Sequence, residues 1–136
     1  YEKRLSRFCQ LQVTELEPVS LPQNPSEKEI AAALEKEGAE LLKRAKGFCI
    51  AMCIEGKQLD SPGLAKKLEQ AAQGGDSGAV TFLIGSSYGL SDAVKQRANL
   101  RLSMSAMTFP HQLARVMLLE QIYRSYQILS GTKYHK

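Results

Sequence analysis

Residues 78–111 read GAVTFLIGSSYGLSDAVKQRANLRLSMSAMTFPH. The apolar run Val80 to Ile84 has the length and composition of a buried strand, and the Gly/Ser-rich stretch Gly85-Ser86-Ser87-Tyr88-Gly89 follows it directly. Ser91 stands as a cap before a short helix reaching Arg97. Leu100 to Ser105 forms a second short strand, and a polar-ended loop closes on Thr108-Phe109-Pro110-His111. Strand, glycine loop, helix, strand and loop is the order in which an open α/β sheet builds a ligand crevice at its strand ends. The stretch therefore predicts a small-molecule site.

The flanking sequence extends the same alternation. On the N-terminal side, Tyr1 to Phe8 reads as the last turns of a helix, and Cys9 to Glu17 alternates apolar and polar residues as a strand does. Pro18 to Pro25, with three prolines, is a loop. Ser26-Glu27-Lys28-Glu29 carries the serine and the glutamate three residues on that open a helix, which is expected to run to about Lys46 and end at Gly47. Phe48 to Ile54 is almost continuously apolar, the pattern of a strand covered on both faces in a parallel sheet, with a turn expected at Glu55-Gly56-Lys57. Ser61-Pro62 starts a helix with proline in its first turn, ending near Gly74-Gly75. Beyond the central stretch, Pro110 to Leu129 is a long final helix, followed by the tail Ser130 to Lys136. Strands alternating with helices mean an α/β fold, a mostly parallel sheet flanked by helices, and 136 residues suit a single domain over 1–136.

Composition narrows the class. With 43% hydrophobic and 24% charged residues, the chain is globular and not disordered. No apolar run approaches the ~20 residues that span a bilayer, and Tyr1-Glu2-Lys3-Arg4 has no apolar leader pattern, so a cytoplasmic protein without a membrane partner is expected. Cys9, Cys49 and Cys53 are odd in number and lack metal-ligand spacing. They read as reduced thiols, with Cys49 and Cys53 buried in FCIAMCI, and no metal site is expected with only two histidines in the chain. Net charge is +4, and the last third gathers Lys95, Arg97, Arg101, Arg115, Arg124, Lys133 and Lys136 against Asp92 and Glu120. A basic C-terminal face permits a polyanionic partner.

Taken by themselves, the candidate site residues leave alternatives open. The Gly85 loop is either a tight strand-to-helix turn or a ligand loop; it lacks the GK[ST] of a phosphate loop and is no clean GxGxxG. Met104-Ser105-Ala106-Met107-Thr108-Phe109 is either a core strand with a polar end or a soft apolar wall for a flat ring. His111 either starts and packs the last helix or lines the crevice, and Arg115 shares its face one turn on. Tyr134-His135 is either a polar tail or a pair of acid/base groups brought to a pocket.

At these residues the sequence resembles a known family. Ile54 to Lys57 (IEGK), Phe82 to Leu90 (FLIG…GL), Leu102 to Arg124 (LSMSAMTFPHQLARVMLLEQIYR) and Tyr134 to Lys136 (YHK) are similar to the RlmH methyltransferases of the SPOUT superfamily, and the likeness covers essentially the whole chain. The resemblance implies a C-terminal trefoil knot, a homodimer and an S-adenosylmethionine (SAM) cofactor. It implies methylation of N3 of a pseudouridine in 23S ribosomal RNA, with the RNA or the assembled ribosome as substrate. Met52, Gly85, Ser86 and Met104 to Phe109 (Met104, Ser105, Ala106, Met107, Thr108, Phe109) match the cofactor positions. His135 stands as the base for the N3 proton, Tyr134 as the group that stacks on or orients the base, Arg115 as a cation for the developing anion or a phosphate, and His111 as a wall residue.

Two departures from the family accompany the likeness. Ser86 replaces a glycine, and its Cβ is expected to crowd the cofactor or restrict φ. The family also places a strand and a loop before the helix that opens at Tyr1. Two other readings fit parts of the pattern: a flavodoxin-like or Rossmann-like nucleotide binder, and an RNA- or ribosome-binding protein with a degenerate cofactor site.

Overall fold

In the computed structural model, which describes residues 1–74 and 78–134, consecutive residues of the central strand (Cys49, Ile50, Ala51) are all fully buried, so the sheet is covered on both faces. The elements are α1 (Glu2–Leu5), α2 (Glu27–Arg44), β1 (Phe48–Gln58), α3 (Ser61–Gln73), β2 (Val80–Ile84), α4 (Asp92–Arg97), β3 (Leu100–Ser103) and α5 (His111–Leu129). The sheet order is β2-β1-β3, and both pairings are parallel. On one face Cys49, Ala51 and Leu83 pack with Leu90 and Val94 under Leu41 and Leu42 of α2. On the other, Ile50 and Leu102 pack with Leu64 and Leu68 of α3. Beside them Met52, Phe82, Ile84 and Met104 pack around Leu5, Leu118 and Ile122 of α1 and α5. Helices on both faces are what an uninterrupted apolar strand such as Phe48–Ile54 requires.

Local signals set the helix starts. Ser26 accepts from the Glu29 amide (3.2 Å) while the Glu29 carboxylate accepts from the Ser26 amide (3.1 Å), closing both ends of a capping box. Asp60 caps α3 ahead of Pro62, and Ser91 caps α4 by accepting from the Val94 amide at 3.3 Å. Asn99 sets the entry to β3: its amide donates to the Cys49 carbonyl and its Oδ1 accepts from the Cys49 amide, both at 2.8 Å.

Five expectations are corrected. Cys9 to Glu17 forms no strand. It runs beside α5, with Leu11 on the Leu5/Leu118 cluster and Glu15 ion-paired to Arg115, and a helix whose own backbone is saturated cannot supply a ladder. Glu55-Gly56-Lys57 does not end β1. Met52 and Lys57 both pair with Leu102, so Cys53 to Gly56 bulges out and the strand resumes to Gln58. α2 stops at Arg44, before Lys46. β3 stops at Ser103, where the Ser103 hydroxyl donates to the Ser105 carbonyl (3.0 Å) and turns the chain away. Cys49 is buried and Cys53 only half so; all three cysteines are free thiols.

Candidate functional site

Parallel pairing brings three chain segments to one edge of the sheet. Ile84 pairs with Met52, and Met52 with Leu102, so these residues form one row across β2, β1 and β3. Gly85 follows that row on one flank and Ser103-Met104 on the other. Met52, Gly85 and Met104, far apart in sequence, are thereby assembled, with Met52, Ile84 and Met104 half-buried in one apolar cluster under α5.

The β2 flank is a closed turn. Ser86 and Gly89 pair as an isolated bridge, with the Gly89 amide donating to the Ser86 carbonyl at 2.9 Å and Gly89 at φ +89°. A Cβ on Gly85 would sit 2.3 Å from the Gly89 carbonyl oxygen, so only glycine allows the turn to close. Ser86 keeps a negative φ, and its hydroxyl donates to Glu37 of α2 at 2.8 Å. Its hydroxyl is engaged with the neighbouring helix, and the expected restriction of φ does not arise.

The β3 flank is open. Ala106, Met107 and Thr108 are exposed, Met107 to 72%, and Ser105 and Phe109 are half-buried. Its polar contacts are local: besides the Ser103 bond, the Met107 amide donates to the Ser105 hydroxyl at 3.0 Å.

His111 is exposed at the start of α5 and Arg115 is half-buried one turn on. Glu15 pairs with Arg115, whose hydrogen bond and charge hold the Glu15 carboxyl below the usual range, with a smaller contribution from His111; the pairing in turn raises Arg115 above its usual value. Tyr134 lies against the middle and end of α5. Its hydroxyl donates to Glu120 at 3.3 Å, its ring stacks edge-on to Tyr123 and lies 4.9 Å beneath the Arg124 guanidinium. Glu120 is nine residues, about 14 Å, along the helix from His111. Burial, then Tyr1 and Glu120, push the Tyr134 phenol upward, so it stays protonated at neutral pH and suits stacking or orientation better than proton abstraction. His135 lies outside the described residues.

Among the described residues no three His, Cys, Asp or Glu side chains converge as a metal site, and no helix is long and apolar enough to cross a membrane. Sequence reasoning missed Glu37, which reaches the Gly85 loop from α2. Its signal was the neighbouring Gly38, a glycine mid-helix where alanine is better by ~1 kcal/mol, which marks a close approach. A Cβ there would meet the Ser91 hydroxyl at 2.4 Å.

Over residues 1–135 the sequence matches the family model described as "Predicted SPOUT methyltransferase". It is 48% identical to the ribosomal RNA large subunit methyltransferase H of Clostridioides difficile (strain 630), over all of this chain and 86% of the relative. It is 49% identical to the protein of that name from Streptococcus thermophilus (strain ATCC BAA-491 / LMD-9), with the same coverage. A putative methyltransferase H of Methanococcus vannielii is 46% identical, again over all of this chain and 86% of the relative.

Proposed function

Because the chain belongs to the SPOUT methyltransferase family, we propose that it transfers a methyl group from SAM to large-subunit ribosomal RNA, at N3 of a pseudouridine. The observation that carries this reading is the row Ile84–Met52–Leu102, which sets the Gly85 turn and the Met104–Phe109 loop on either flank of one apolar strip. The residues suit the cofactor: Met52, Met104 and Met107 supply soft apolar surface, and Gly85, Ser86, the half-buried Ser105 and the exposed Ala106 to Thr108 supply polar backbone groups beside it.

When bound, SAM supplies an electrophilic methyl group on a sulfonium. The protein aligns donor and acceptor, which supplies up to ~7–11 kcal/mol through positioning. It must also accept the N3 proton, for which His135 is the proposed base, a role worth ~10²–10⁴-fold. Arg115 stabilises the nitrogen anion or holds an RNA phosphate, Tyr134 stacks on or orients the nucleobase, and His111 shapes the wall. Arg115 must exchange Glu15 for that anion, and both partners are exposed enough for the exchange.

The working unit of this reading is a homodimer in the cytoplasm, acting on RNA within the ribosome. Leu113 and Val116 stand 47% and 49% exposed on α5, a surplus apolar face that a second copy would cover. A composite site with that copy fits the placement of Tyr134, whose contacts on α5 belong to neither loop. The C-terminal trefoil knot belongs to this reading through the family likeness, with β2 and β3 on either side of β1.

The test is calorimetric titration of SAM into the protein, followed by mass analysis of large-subunit RNA after incubation with free RNA, isolated large subunits and full ribosomes. Micromolar SAM binding and one added methyl on a pseudouridine are expected. A folded protein that binds RNA in a salt-sensitive way but not SAM would replace this reading with the degenerate binder. Wild-type turnover by His135→Ala would remove His135 from the mechanism, and a monomer by sedimentation at micromolar concentration would remove the dimer.

A further inference from the structure

Ser86 follows Gly85 in the loop between β2 and α4, and its hydroxyl donates to Glu37 Oε1 at 2.8 Å. The other oxygen of the same carboxylate, Oε2, accepts from the Val19 amide at 2.9 Å. One side chain of α2 thus joins two segments that lie 18 residues before it and 49 after it. The Val19 segment runs along α2, where Val19, Leu21 and Pro22 face Ala32, Ala33 and Lys36 across a depression of about 260 Å³. Gly38, the next residue, makes the link possible by letting α2 approach the Ser91 cap of α4, so that the carboxylate reaches the loop just before it.

We propose that Glu37 is a positioning residue for the methyl-donor site: its carboxylate clamps the Gly85–Gly89 loop to α2 and to the Pro18–Pro25 segment, so that cofactor affinity depends on a group that acts through the loop. The proposal rests on the SAM-dependent reading given above for what the loop binds; the clamp itself rests on the two hydrogen bonds. The chemistry of the carboxylate fits the task. It offers two separate acceptor oxygens on a long side chain, one to each donor, which an apolar side chain at that position cannot do. A hydrogen bond to a charged group is also stronger than one between neutral partners. The serine and the glutamate act as a pair: glycine at position 86 would leave Glu37 without its loop partner.

The experiment compares wild type, Glu37→Ala, Ser86→Ala, the double variant and Glu37→Gln, each as the full chain. SAM affinity is measured by calorimetry, cofactor KM and kcat on ribosomal substrate, and hydrogen exchange at the residue 85–90 amides. Either alanine variant is expected to weaken SAM binding about tenfold, with KM rising by more than kcat falls. The double variant should be no weaker than the worse single one, because the Ser86–Glu37 link is already lost in either single variant. Glu37→Gln keeps one acceptor oxygen, and its amide can donate to a rotated Ser86 hydroxyl, so it should recover most of the affinity. Loop amides should exchange several-fold faster in the alanine variants and not in Glu37→Gln. Penalties that add in the double variant, or unchanged loop exchange in the singles, would overturn the clamp. Were wild type itself not to bind SAM, the methyltransferase reading would fall, while loop exchange would still decide the clamp.

Discussion

The two loops that flank Met52 are held in opposite ways. On the β2 side, the Gly85 turn closes on Gly89 and is tied through Ser86 to a helix 49 residues away, over the buried Leu90 and Ser91. On the β3 side, the Met104–Phe109 loop uses bonds only two residues long and leaves Met107 72% exposed. On the proposed reading, the first loop is a preset wall and the second a loosely held one. A preset wall reduces the ordering entropy of binding, while a loose one lets a substrate enter and leave.

If the closed wall is preset, disturbing its turn should have the largest effect. Gly85→Val forces a side chain into the Gly89 carbonyl and should weaken SAM binding more than ~100-fold, or ~3 kcal/mol, with the far-ultraviolet dichroism unchanged. Wild-type affinity in calorimetry would show that the turn is not part of the site. Gly38→Ala probes the support behind that wall. Its added Cβ meets the Ser91 hydroxyl at 2.4 Å, and overpacking (~1–3 kcal/mol) plus a disturbed cap (~1 kcal/mol) outweigh the ~1 kcal/mol gained in helix propensity. A net loss of about 1–3 kcal/mol in urea unfolding is expected, and a stabilised variant would mean that α2 and α4 separate readily.

The open wall should answer differently. Met107→Ala removes a side chain that touches little, so stability should stay within ~0.5 kcal/mol of wild type while SAM affinity falls several-fold. A large stability loss would mean that this loop is packed after all. The smallest effect concerns the ion pair beside the start of α5. Glu15 should titrate by NMR below the usual carboxylate range, chiefly because of the hydrogen bond from Arg115, and should return to it in Arg115→Ala. Its folded value is depressed, so its contribution to stability is present above the unfolded carboxylate value and is lost as pH falls through the lowered one. The pair is solvent-exposed, so added salt should shrink the shift.

The elements legible beforehand were those written in local chemistry. The capping box at Ser26, Pro62 after Asp60, Ser91 before α4 and the apolar runs at Phe48 and Val80 each signal within a few residues. Cys9 to Glu17 misled because alternation says only that one side is covered, and α5 covers it instead of a neighbouring strand. The bulge at Cys53 to Gly56 was hidden for a related reason: Glu-Gly-Lys has turn composition, but whether a strand ends there depends on whether a partner such as Leu102 waits beyond it. In the candidate site, Met52, the Gly85 loop and the Met104–Phe109 segment were legible by their likeness to a family, whereas Glu37 was not.

By itself, the sequence determined the α/β alternation, the helix caps, the glycine in the tight turn and the family, because each depends on residues near one another in the chain or on the whole string compared at once. Only the tertiary structure decided that Ile84, Met52 and Leu102 share a row, that Ser86 is tied to Glu37, and that Tyr134 stands over Glu120 and Arg124. Those facts join residues 10 to 50 positions apart, and such distances are set by strand register and helix packing, which involve every layer of the fold at once.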